Sequence, residues 1–104
     1  MAPQQHLVAA CAALATLTFV VGLRMLAVRI AEMRARLKAV NERLWEIEDD
    51  IRIKEKAQVF DDEFIRLARS VYVQNDERAR IKKDINLALG STYVEEKSYQ
   101  DYRV

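Results

Sequence analysis

His6 and Cys11 are the only histidine and cysteine in this 104-residue chain, and so its only imidazole and its only thiol. A Cys–His dyad needs a third group to orient the base, yet the first acid along the chain is Glu32. One thiol forms no internal disulfide, and one thiol with one imidazole falls short of a metal cage. The two glycines, Gly22 and Gly90, stand alone, without the clustered spacing that cradles a phosphate. The 16 acids alternate with 17 bases as a solvated surface does, and no carboxylate pair is set apart for acid–base work. Arg52, Arg78 and Lys82 are the set that helices could turn toward a small dianion in a mutase-like pocket, although their spacing does not select that use. No catalytic, cofactor-binding or metal-ligating residue is therefore assigned, and a non-enzymatic role is expected.

The elements that carry these residues are expected to be helices. Two Gly and one Pro are too few turn-formers for an all-β or α/β domain, so the fold class is all-α. The overall charge of +1 hides an asymmetry. Residues 1–36 hold Arg24, Arg29, Arg34 and Arg36 against Glu32 alone, whereas residues 37–104 hold 13 bases and 15 acids. Net acidity there, with no basic stripe interleaved with aromatics, argues against nucleic acid as a partner.

From Leu7 to Leu23 the 17 residues LVAACAALATLTFVVGL carry no charge, and Met25–Val28 extend the apolar run past Arg24. A helix needs about 20 residues to cross a ~30 Å hydrocarbon layer, and Arg24 can snorkel to the headgroups. Residues 7–28 are thus expected to form one transmembrane helix after a short external segment, 1–6. A cleaved signal peptide is the first alternative, but MAPQQH lacks a basic n-region. The second is a buried helix, which the charged remainder of the chain is poorly equipped to cover. Bases follow the span and none precedes it, so the positive-inside bias places the N-terminus outside and the C-terminus in the cytoplasm, in a cell (inner) membrane. Arg24, Arg29, Arg34 and Arg36 are then candidates to face the lipid headgroups.

Beyond the span, Ile30, Met33, Leu37, Val40, Leu44, Ile47 and Ile51 recur at alternating spacings of three and four, a coiled-coil-like seam uninterrupted by Pro or Gly. One helix is expected to run through residues 29–56. Phe60-Asp61-Asp62-Glu63 reads as a helix start, with Asp61 as N-cap and Phe60 stapled against Ile65. A second helix over 62–89 carries Phe64, Leu67, Val71, Ile81, Ile85 and Ala88 in the same rhythm, broken by a polar patch at Gln74 and Arg78 and stopped by Gly90. The short connection favours an antiparallel hairpin over 29–90. A second helix of about 42 Å would reach back toward the membrane and bring Lys82 and Lys83 to anionic headgroups.

A second stripe flanks the seam, with Asn41, Trp45 and Glu48 on the first helix and Tyr72 and Asn75 on the second. Aromatic rings beside amides suit an interface. The expected partners are therefore the bilayer and a helical protein, most simply a second copy in a homo-oligomeric four-helix bundle. The tail, 91–104, holds three of the four tyrosines without periodicity and is expected to be irregular.

The segments LKAVNERLWEIEDDIR, FIRLARSVYVQNDERARIKKDIN and LGSTYVEEKSY, within residues 37–102, resemble a family of small bacterial all-helical proteins of unknown function that often accompany glycosyltransferase or surface-polysaccharide genes. Residues 1–36 resemble the first transmembrane helix of bacterial MAPEG proteins, the membrane-associated eicosanoid and glutathione metabolism superfamily. The later segments that supply the glutathione contacts of that superfamily are absent here, so no glutathione site is carried over. The two resemblances meet near Arg34–Leu37. Together they imply a scaffold or accessory subunit at the membrane, with an accessory role in polysaccharide or glutathione-type metabolism as the alternative.

Overall fold

The computed structural model describes residues 3–90 and 100–103. It contains two helices, α1 (Pro3–Ala57) and α2 (Asp62–Ala88), and no strand among the described residues. The all-α class, with a long helix followed by a helical hairpin, is as expected. Pro3 opens α1, where its fixed φ suits the first helical position and its missing N–H costs nothing. The chain divides into two compact units, Met1–Glu32 and Met33–Val104.

In the first unit, every described residue from Gln4 to Arg29 is exposed. Leu7, Phe19 and Met25 are each about two-thirds accessible. The segment belongs to a helix long and apolar enough to cross a bilayer. Its two described hydroxyls turn inward to the backbone: Thr16 donates to the Ala12 carbonyl at 3.0 Å and Thr18 to the Leu14 carbonyl at 2.9 Å. Such bonds satisfy a hydroxyl where the surroundings offer no acceptor.

The second unit is the hairpin. Its buried hydrophobic side chains are Met33, Leu44 and Ile47 from α1 and Leu67 and Ile81 from α2, Ile81 alone being fully enclosed among the described residues. Leu37, Val40 and Ile51 are half-buried, as are Phe64, Val71, Ile85 and Ala88, so the three-four rhythm of both helices faces inward. Lys54 continues the rhythm and is half-buried, its amine bonding both oxygens of Asp61 at 3.1 and 3.0 Å. Two ties set the register: Lys54–Asp61 beside the turn, and Arg36–Glu77 at 3.1 Å farther along. Full burial of an aliphatic side chain stabilises by roughly 1.5–3 kcal/mol. Five such residues make a thin core against the ordering entropy of the chain.

The turn is built from backbone bonds rather than glycine. Val59 N–H donates to the Lys54 carbonyl at 3.0 Å and Gln58 N–H to the Glu55 carbonyl at 3.1 Å, the paired bonds of a Schellman motif. The motif needs a left-handed residue, and Gln58 takes that place at φ 56°. Its side-chain amide adds a 2.8 Å bond to the Glu55 carbonyl. Asp61 then caps α2, accepting from Phe64 N–H at 3.0 Å. Phe60 packs edge-on against Phe64, ring centroids 5.2 Å apart, rather than against Ile65. Phe64 sits half-buried on the seam side, while Ile65 faces outward. At the far end Gly90, at φ 70°, follows the last turn and stops α2.

Two outcomes follow from the turn. Gln58→Gly removes the left-handed strain and should raise hairpin stability by about 0.5–1 kcal/mol in thermal or urea melts, whereas Gln58→Val should lower it. The bond from Lys54, then that from Phe64 N–H, holds the Asp61 carboxyl below its ordinary value. A depressed carboxyl contributes stability that is complete above about pH 4 and lost as the pH falls through its lowered value. The melting midpoint should therefore drop on acidification below about pH 4, and Asp61→Asn should flatten that part of the pH profile while keeping a competent cap.

Candidate functional site

The flanks of the hairpin follow from the seam. Residues immediately before a seam position lie on one side of each helix, and those immediately after lie on the other. Arg36 and Glu77 both precede seam positions, and their bond closes one flank. Arg80 shares the Glu77 carboxylate. Asn41, Trp45, Glu48, Tyr72 and Asn75 all follow seam positions, so they share the opposite flank. The register puts Asn41 between the levels of Tyr72 and Asn75, and Glu48 near Ala68.

This flank is open. Trp45 is 67% exposed and Tyr72 is 56% exposed. A shallow groove beside Trp45 is lined by Arg34, Leu37, Lys38, Asn41 and Glu42. Lys38 pairs with Glu42 at 3.7 Å, so within the groove these two charges largely offset each other. At the α2 edge of the face, the Tyr102 ring lies 5.6 Å from that of Tyr72, and its hydroxyl donates to Asp76 at 2.9 Å. That bond to the Asp76 carboxylate raises the Tyr102 phenol above its ordinary value. Arg103 turns back on Asp101, donating through its backbone N–H at 3.1 Å and Nε at 2.9 Å. Residues 100–103 thus lie irregularly against α2, and the rest of the tail, 91–99 and 104, falls outside the described residues.

The polar break in the seam holds the feature that spacing alone does not show. Gln74 and Arg78 are half-buried within the rhythm. The Arg78 Nε is enclosed and has no hydrogen-bond partner among the described residues. The break in apolar rhythm was its only signal in the sequence.

The remaining candidates are dispersed. Arg24, Arg29 and Arg34 are exposed on α1, while Arg36 is taken by Glu77. Lys82 is half-buried and Lys83 exposed. Arg52 lies at the level of the first turn of α2, roughly 20 Å along the helix from Arg78, so Arg52, Arg78 and Lys82 do not converge on one dianion. Cys11 is a free, exposed thiol. No group of three or more His, Cys, Asp or Glu could hold a metal among the described residues.

Core and face should separate under mutation. Ile81 is 1% exposed, so Ile81→Ala should cost about 2–4 kcal/mol in urea titrations. Trp45→Ala should change hairpin stability by no more than about 0.5 kcal/mol.

A comparison with family models matches residues 23–102 to a family described as of unknown function, DUF6165. The matched range begins within the apolar run and includes Arg34–Leu37. No curated protein and no solved structure matches the chain.

Proposed function

The chain belongs to the DUF6165 family of unknown function, and from that premise we propose a non-enzymatic, single-span membrane protein whose hairpin serves as a scaffold or accessory subunit. The observation that carries this proposal is an apolar helical stretch, Leu7–Val28, exposed on all sides, within the same helix as the first arm of a thin hairpin. Apolar surface of that extent calls for a solvent other than water. Lipid supplies it at the required length. The bases that follow the stretch favour a cytoplasmic hairpin and an external N-terminus.

On this proposal the hairpin associates through the flank bearing Asn41, Trp45, Glu48, Tyr72 and Asn75, with a second copy or with another helical protein. Large exposed rings beside amides are the kind of anchors interfaces use. On this proposal the partner belongs to envelope polysaccharide machinery, a reading supported by the resemblance of residues 37–102 to proteins that accompany surface-polysaccharide genes.

Two measurements test the proposal. After alkaline carbonate washing the chain should stay with the membrane pellet, and release into the peripheral fraction would end the membrane role. In mild detergent, Trp45→Ala should reduce association by about tenfold or more, the loss expected of an aromatic anchor, with the helical signal unchanged. Unaltered association would remove this flank as the interface.

A further inference from the structure

We propose that the open flank receives an acidic amphipathic helix from a partner protein, with Arg78 and Arg34 as its carboxylate anchors and Trp45 as its apolar one. This deepens the scaffold proposal and rests on it. Arg78 occupies a seam position where an aliphatic side chain would pack, yet its enclosed Nε lacks an acceptor. An unmade hydrogen bond of a charged group is costly, so the hairpin alone leaves this residue unexplained. Arg78 takes part in no ion pair or side-chain hydrogen bond among the described residues. Arg34, on the wall of the Trp45 groove, likewise has no ion pair among the described residues. The register puts these two guanidinium-bearing residues within about one turn of each other, Arg34 on the open flank and Arg78 in the seam beside it.

The acids near them are already engaged. Glu42 holds Lys38, Glu77 holds Arg36 on the opposite flank, and Asp76 accepts from Tyr102. At the level of Arg34 and Arg78 positive charge remains on the membrane side of a large exposed ring, while Glu48 lies one turn beyond that ring toward the hairpin turn. A guanidinium presents a planar fork of donors that fits a carboxylate bidentately, and such a pair strengthens as it is desolvated. A partner helix bearing Glu or Asp beside an apolar stripe would give the Arg78 guanidinium a counter-charge and cover Trp45 in one step. A second copy is the less suitable occupant. Two hairpins rising in parallel from one membrane would set Arg34 and Arg78 against their own counterparts.

Trp45 is the sole tryptophan, so its emission reports this face alone. The full chain in zwitterionic nanodiscs is titrated with a Trp-free Leu-heptad peptide carrying Glu on both flanks, and with the same peptide carrying Lys. The Glu peptide should shift Trp45 emission to the blue, and the Lys peptide should not. Arg78→Leu should weaken the Glu peptide by about tenfold or more while raising the hairpin's melting midpoint. Arg69→Leu, outside the face, should leave binding unchanged. Equal binding of both peptides, no blue shift with the Glu peptide, or full binding by Arg78→Leu would overturn the proposal. So would a blue-shifted emission that reverses only on diluting the chain into more nanodiscs, which would identify a second copy as the occupant. Each of these outcomes leaves the carbonate result intact, so the anchor stands or falls separately.

Discussion

Everything else in the molecule depends on how the apolar surface between Leu7 and Val28 is solvated. A helix satisfies its own backbone hydrogen bonds, so its side chains alone decide which medium it tolerates. Here they are Leu, Val, Ala, Phe and Met over a length matched to a hydrocarbon layer, with threonine hydroxyls bonded back to carbonyls. Every described residue of the stretch is exposed. Water is a poor solvent for so much contiguous apolar area. If lipid takes that place, the chain is held at one surface and the hairpin acts at a fixed location.

The hairpin differs in kind. Its five buried side chains yield a modest hydrophobic gain, and its seam admits Gln74 and Arg78 where apolar groups would pack better. Small helical units of this type commonly complete their core with a partner. A seam arginine lowers the stability of the isolated hairpin and rewards a partner able to satisfy it. Stability given up at Arg78 and the ring left open at Trp45 therefore point the same way. The turn is the better-determined end. There the Schellman bonds, the Asp61 cap and the Lys54 bridge act within a few residues of one another.

Much of the fold was legible because helical periodicity is local. Met33, Leu37, Val40, Leu44, Ile47 and Ile51 announce a buried stripe by spacing alone, and Asp61 announces a cap by residue type. Lys54 was not legible as a seam member, since its inward stem depends on a carboxylate seven residues ahead. Gln58 gave no sign of its left-handed backbone, because the motif that demands it is usually met by glycine. Phe60 chose Phe64 over Ile65 because burial drew Phe64 to the seam. For the site, which residues share a flank follows from spacing. The enclosure of the Arg78 Nε and the capture of Arg36 by Glu77 depend on how two helices meet, which no one-dimensional pattern records. Nor does spacing say what the open flank binds.

The lipid environment of the apolar stretch is most directly measured by thiol labelling. Replacing the single cysteine by Cys11→Ser and introducing Leu17→Cys puts one thiol at the middle of residues 7–28. In intact membranes a polar, water-borne maleimide should fail to label it, while Gln58→Cys in the same background labels fully, and detergent should expose both. Rapid labelling of Leu17→Cys in intact membranes, equal to that of Gln58→Cys, would contradict the account.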